Sequence, residues 1–299
     1  VQKRHHTIPR CYLENFTDEN GHVWVLDTKD RIFNTQPENV LVESNFYRIT
    51  LKNGEKSLIV EDTLANIEGA YADIFANKIS QDELLTPDER AKVAVFVAAM
   101  LHRTRPHRDS MRNMVENVRT SAQNWKEEYQ RNPEARRLAG MMPPSGDGDS
   151  MTLEDIDAGL ENFDEEHVVG LIPQIVSTAQ VIFDMKWGVW KLDKKDGRFV
   201  TSDNPFVVMR PASIKKYGHN AIGSQPGLLY EDAEVTLPLS KDRLLLAGWI
   251  LDEDSYISVP PDIAEAMNQR TIIHSSQRII ASSKEELEEI KVKYPPKQS

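Results

Sequence analysis

Apolar and polar positions follow two different periods along the chain, and the switches between them divide it into three stretches. His22 to Asp27 (His-Val-Trp-Val-Leu-Asp) alternates and is rich in β-formers. Thr28-Lys29-Asp30 then turns the chain into Arg31-Ile32-Phe33, which predicts a hairpin. From Val60 onward the period lengthens: Val60, Leu64, Ile67, Tyr71, Ile74 and Phe75 predict an amphipathic helix ending near Ile79. Thr86-Pro87-Asp88-Glu89 has the Thr and Glu of a capping box with Pro at the first helical position. The helix it opens runs through the apolar stretch Val93 to Leu101 and is expected to break near Pro106, whose ring removes a hydrogen bond and clashes with the carbonyl of His102. Met111, Met114, Val115, Val118, Ala122, Trp125 and Tyr129 then resume a helical stripe.

Pro, Gly, Ser and Asp dominate 132–150, including Met141-Met142-Pro143-Pro144, and predict a mobile loop. Thr152 to Asp155 restarts a helix, and a further one is expected from about Glu165 to Met185, bent at Pro173. After Lys186 the pattern returns to β. Trp187 to Asp193 and Arg198 to Ser202 are expected to pair across a Lys194-Lys195-Asp196-Gly197 turn, and Glu234 to Ser240 with Arg243 to Ile250 across Lys241-Asp242. A helix from Pro261, a strand at Arg278 to Ser282 and a helix capped by Ser283 close the pattern. The fold class implied is α+β: an antiparallel sheet built from the N- and C-terminal segments, with a central helical insertion. The organisation expected is one domain over 1–299, comprising an N-terminal segment 1–57 with its hairpin, a helical region 58–185 and a β-rich region 186–299. The alternative is two domains divided at 132–150.

Composition narrows the class. The hydrophobic fraction of 39% and mean hydropathy of -0.51 are those of a globular chain with a core. Cys11 is the one cysteine, so a disulfide within the chain and a thiolate metal site are excluded, and a reducing, cytoplasmic location is expected. The longest apolar run, Val93 to Leu101, is about half of a bilayer span. No secretory apolar region follows Val1 to His6, and no membrane association is expected. A net charge of -11 argues against broad, non-specific DNA binding. The charge is unevenly placed, however. Between Arg137 and Lys186 there are acidic residues and no Lys or Arg, whereas Arg103, Arg105, Arg108, Arg112 and Arg119 crowd one stretch. That cluster either attracts an anionic, phosphate-bearing ligand or pairs with the acidic segment.

No Gly-rich phosphate loop, HExxH or GxSxG motif is present, so the sequence leaves any cofactor unknown and names no metal ligand. Three constellations carry candidate chemistry. In the first, Pro9 fixes the backbone after His6, and Tyr12, Leu13 and Phe16 anchor it, so that His6 is either a general base or a structural histidine. In the second, Glu68 faces Arg103 and Arg108 near the Pro106 break, as an anion site or as a buried Glu68–Arg103 salt bridge between helices. In the third, Asp203 and Asn204 precede Pro205 at a strand end, as acid/base and orienting amide or as caps for local backbone groups.

His6-Thr7-Ile8-Pro9-Arg10-Cys11-Tyr12-Leu13-Glu14-Asn15-Phe16 resembles the opening signature of the uncharacterised bacterial family called domain of unknown function 4238. Ile67-Glu68-Gly69, Arg103-Thr104 to Arg108, Thr201 to Pro205, Asn268 and Arg278 resemble its later positions in the same order. The chain departs from that pattern at Arg105, which stands between Thr104 and Pro106. The resemblance implies a bacterial origin and one family-wide domain, and it brings no activity. Two functions are left to weigh. One is a hydrolase or nuclease-like enzyme on a phosphate-bearing substrate, with His6, Asp203 and Glu68 catalytic and Arg103, Arg108 and Asn204 binding. The other is a non-catalytic binding or interaction protein in which the same residues form a structural network.

Overall fold

A computed structural model describes residues 4–44, 46–47, 49–50, 56–134, 137, 152–193, 197–217, 227–251 and 255–294. The N-terminal stretch holds β1 (Arg4–His6), the short helix α1 (Arg10–Leu13), β2 (Val23–Asp27), β3 (Ile32–Thr35), β4 (Val42–Ser44) and the two-residue strands β5 (Ile49–Thr50) and β6 (Lys56–Ser57). The helical middle contains α2 (Ile59–Asn77), α3 (Pro87–His102), α4 (Arg105–Arg131), α5 (Leu153–Glu161) and α6 (Phe163–Asp184). The remainder is β7 (Lys186–Lys191), β8 (Thr201–Ser202), β9 (Val207–Met209), α7 (Pro211–Tyr217), β10 (Glu234–Ser240), β11 (Arg243–Gly248), β12 (Ser255–Ser258), α8 (Pro261–His274), β13 (Arg278–Ala281) and α9 (Lys284–Lys293). The protein is therefore α+β. Among the described residues no helix is long and apolar enough to cross a membrane.

The sheet expected from both chain ends is present as the four-stranded order β3-β2-β13-β8, antiparallel throughout. A second, five-stranded sheet of order β12-β7-β11-β10-β9 comes from the C-terminal region and includes one parallel pair, β12 with β7. Its existence corrects one expected hairpin. Trp187 to Asp193 and Arg198 to Ser202 do not pair with each other: β7 lies between β11 and β12, and β8 joins β13 in the other sheet. The physical reason is that burial on both faces of β7 and β11 selects a long-range partner over the nearest one in sequence. Asn268 then holds the strandless backbone between the sheets, its amide oxygen accepting from the Val200 N–H at 3.0 Å and its amide nitrogen donating to the Arg198 carbonyl at 2.8 Å.

Local signals set the helix ends. Thr86 and Ser283 each form a capping box, with Glu89 and Glu286, and so does Thr152 with Asp155. The break at Pro106 is a complete one: α3 stops at His102 and α4 starts afresh at Arg105, with Pro106 in its first turn, where no N–H is needed. Thr104 joins the two helices. Its hydroxyl donates to the Leu101 carbonyl at 3.1 Å and accepts the His107 N–H at 3.3 Å. Thr104→Ala is expected to cost about 0.5–2 kcal/mol, the range for losing an N-cap, read as a lower urea midpoint at unchanged slope. Pro173, by contrast, lies inside α6, which continues across it. Of the loop expected over 132–150, residues 135–136 and 138–150 lie outside the described residues, as do 194–196 of the expected turn.

The largest apolar cluster joins α1 (Tyr12, Leu13), α2 (Leu64, Tyr71), α3 (Phe96, Val97), α6 (Leu171, Ile175), β10 (Val235, Leu237) and β13 (Ile280). Tyr71 stacks on Phe96 with ring centroids 3.5 Å apart. The buried Tyr12 hydroxyl donates to the Pro238 carbonyl at 2.6 Å, and since it has one proton, the Thr201 hydroxyl 2.7 Å away must donate to it. One N-terminal side chain thus bridges β8 and β10, which belong to different sheets.

Candidate functional site

The segment that carries His6 is fixed before any chemistry is considered. β1 pairs antiparallel with β4, His6 opposite Val42. Next to β4, Leu41 has φ 54°, a left-handed conformation that a branched side chain rarely adopts. Its carbonyl accepts both the Thr7 N–H at 2.9 Å and the Thr7 hydroxyl at 3.1 Å, so Thr7 holds the strained residue in place. Ile8, Tyr12, Leu13 and Phe16 are buried below it.

Arg103 caps the C-terminus of α3 and points its buried guanidinium back at this segment. One terminal nitrogen donates to Glu68 Oε1 on α2 at 2.6 Å, the other to the His6 carbonyl at 2.8 Å, and Nε to the Tyr47 hydroxyl at 3.3 Å. The Tyr47 hydroxyl in turn shares its one proton between the carbonyls of His6 at 3.2 Å and Arg103 at 3.4 Å. Burial by itself would lower the Arg103 pKa, but Tyr47 and Glu68 more than offset it, and the guanidinium stays charged. His5 is tied to the same place: its Nδ1 accepts the Tyr47 N–H at 2.9 Å and its Nε2 lies 3.4 Å from Glu61. Two carboxylates of α2, Glu61 and Glu68, therefore serve different partners. Cys11 leans its sulfur on the Glu68 carbonyl at 3.8 Å, and burial, followed by the Glu68 charge, pushes its thiol up to about 12. At neutral pH it is no nucleophile.

The arginine cluster of the sequence is matched by carboxylates. Besides Arg103 with Glu68, Arg105 lies 3.5 Å and Arg108 3.7 Å from Glu43, Arg112 lies 3.0 Å from Asp164, and Arg119 pairs with Asp157. Arg108 also covers the Phe46 ring at 4.0 Å. Two of the five thus pair with the acidic stretch after Arg137.

Asp203 and Asn204 have other partners. The Asp203 carboxylate accepts the N–H groups of Ser276 at 2.9 Å and Gln277 at 2.8 Å, and its own N–H donates to the Arg278 carbonyl at 3.1 Å. Burial raises its pKa above the ordinary value, against the opposing pull of those backbone donors. The Asn204 amide donates to the His274 carbonyl at 3.0 Å. Both residues close the turn between α8 and β13. The structure therefore brings His6, Glu68 and Arg103 together, sets Arg108 against neighbouring Glu43, and seats Asp203 and Asn204 in a separate backbone-binding role.

Sequence reasoning missed Tyr47, the hub of this network, and a second cluster formed by His102, His107 and His167. The rings of His102 and His107 meet edge-on, Nδ1 to Nε2 at 3.1 Å, and His102 Nε2 lies 2.7 Å from the Thr178 hydroxyl. All three histidines are buried. Burial first, and then mutual repulsion, hold His102 down to about 4 and His107 down to about 3; His167 is lowered too, by burial and the nearby Arg108. His107 Nδ1 and His167 Nε2 have no hydrogen-bond partner among the described residues. No group of three or more His, Cys, Asp or Glu residues among the described ones is arranged to hold a metal ion. The spacing His102 to His107 was visible in the sequence, but nothing in it places His167 opposite.

The fold and this network define an α+β protein with a helical middle, locked at its N-terminus by one buried arginine. The family model for a protein of unknown function (DUF4238) matches residues 4–285, and the chain belongs to that family. No curated protein and no solved structure matches it.

Proposed function

We propose that this is a binding protein whose polar motifs are structural, with no catalytic part for His6, Glu68 or Asp203. The observation that carries this reading is the state of Arg103. Every nitrogen of its guanidinium donates inside the molecule, to Glu68, the His6 carbonyl and Tyr47. A phosphate bound there would have to displace a carboxylate, a strand carbonyl and a buried phenol together, which costs more than one anion returns. Asp203 is spent in the same way on two backbone N–H groups. The motif residues act as a weld between the N-terminal segment, α2 and α3, and as a second weld at the α8–β13 turn. The hydrolase reading, with His6 as base and Arg108 and Asn204 on a phosphate-bearing substrate, makes the opposite demand on the same residues.

Unfolding and turnover measured on the same variants separate the two. Glu68→Gln and Asp203→Asn are expected to lower the urea midpoint, each by an amount corresponding to about 1–3 kcal/mol. The wild-type protein is expected to leave bis-p-nitrophenyl phosphate and p-nitrophenyl phosphate unhydrolysed above a buffer blank. Turnover that disappears in a His6→Ala variant with wild-type stability contradicts the proposal.

A further inference from the structure

α4 is amphipathic along its length, yet its apolar face is left largely outside the core. Met111, Val115, Val118, Ala122, Trp125 and Tyr129 recur at alternating spacings of four and three, which sets them on one face. Val118 is 50% exposed, Trp125 50% and Tyr129 43%, with Met114 beside them at 54%. Exposed apolar side chains scattered singly would need no explanation; a continuous row along a helix does. α5 covers the N-terminal half of α4 incompletely. It is held there by ion pairs, Arg119 with Asp157 and, from the start of α6, Arg112 with Asp164. Between the three helices an open groove of about 640 Å³ remains, with Met114, Val115 and Val118 on one wall and Ile156 and Phe163 on the other. Its open side and the flexible thioethers of Met111 and Met114 suit an inserted row of side chains rather than one compact ligand.

The charge around the groove selects the occupant. From Leu153 to Glu166 the far wall carries acidic residues and no Lys or Arg. Asp157 and Asp164 are matched by the α4 arginines, while Glu154, Glu161 and Glu166 are exposed and without an ion-pair partner among the described residues. An anionic lipid surface or an acidic segment is repelled by such a rim. We infer that the α4–α5–α6 groove is a docking site for an amphipathic helix of a partner protein, one with Lys and Arg flanking its apolar face. This inference rests on the reading of the chain as a binding protein and names the class of partner. The apolar row enters between α4 and α5, and the basic flank meets Glu166, which lines the groove, and Glu161 at the end of α5.

The test uses the full chain and a designed probe, a fluorescein-labelled leucine–lysine amphipathic peptide of about 14 residues, which as a helix spans about 21 Å. Its leucine–glutamate counterpart is the control. By anisotropy the lysine peptide is expected to bind at least about tenfold more tightly than the glutamate peptide, with the difference shrinking as salt is raised. The double variant Met114→Asn/Val118→Asn, whose side chains are half exposed, is expected to lose that binding at an unchanged melting temperature. Glu161→Gln/Glu166→Gln is expected to weaken it, and Glu285→Gln/Glu289→Gln on distant α9 to leave it intact. Lysine-peptide binding that the Met114/Val118 variant leaves intact overturns the location. Equal binding of both peptides, lost in that variant, overturns the partner's chemistry while the binding reading stands. Self-association lost in the same variant, with neither peptide bound, makes a second copy the occupant and overturns the inference. Absence of all binding together with His6-dependent phosphoester turnover overturns both the inference and the reading beneath it.

Discussion

Arg103→Ala is expected to lower the unfolding free energy by about 3 kcal/mol, at the lower end of the range for removing one partner of a buried pair. The lower end applies because Glu68 keeps 25% of its side chain exposed and recovers some hydration once the arginine is gone. What is not recovered is the rest: the His6 carbonyl keeps only the longer bond from Tyr47, the Tyr47 hydroxyl loses the donor it accepts from, and the weld between the N-terminal segment and α3 opens. Arg103→Lys restores the charge but offers a single point donor for three divergent acceptors, so it is expected to recover a minor part of the loss. Urea denaturation of the three proteins at pH 7.5 checks this. A cost below about 1 kcal/mol for the alanine variant, typical of a surface pair, contradicts it.

Acid is expected to unfold the protein well above the pH at which carboxylates titrate. In the unfolded chain His102 and His107 take up protons near pH 6.5, whereas in the fold burial delays them to about 4 and about 3. Between those limits the unfolded state binds more protons, so stability present above about pH 6.5 falls as pH drops toward 4. His167 acts in the same direction. The loss is on the order of several kcal/mol for the cluster. Urea midpoints at pH 7.5, 6 and 5 measure it, and His107→Gln, which keeps a polar contact for His102 and does not titrate, is expected to flatten the dependence. A midpoint constant from pH 7.5 to 5, or a slope unaltered by His107→Gln, contradicts the account. Asp232, whose carboxyl the Ser213 hydrogen bond, with Arg210, holds down to about 2, responds at much lower pH and does not confuse the window.

Features decided within a few residues were legible in the sequence. The capping boxes at Thr86 and Ser283, the turn between β2 and β3 and the break at Pro106 all depend on neighbours in sequence, and each is present. The Glu68–Arg103 pair was legible for a related reason: two charged residues bordering apolar helical stripes have few places to go except toward each other. What depends on distant partners was not. The sequence after β7 reads as a turn followed by an apolar strand, yet β7 pairs with β11 and β12. The donors that satisfy Asp203 come from residues 73 and 74 positions later. Tyr47 lies in an irregular stretch with no periodicity to mark it, although it touches His5, His6 and Arg103. The site was thus recognisable as a set of polar residues, but their role depends on which of them the fold saturates.

The His6 to Pro9 segment takes its meaning from that distinction. His6 contributes its carbonyl to Arg103, Thr7 holds Leu41, and Ile8 fills the core, so three consecutive residues each do structural work through a different group. The most direct test is a double-mutant cycle on Glu68 and Arg103, using Glu68→Gln, Arg103→Met and the double variant in urea at pH 7.5. A coupling of about 2 kcal/mol or more, with each single variant less stable than the wild type, is the predicted result. A coupling near zero, with both single variants as stable as the wild type, would show that the two residues are not a weld and would return them to the list of groups free to act on a ligand.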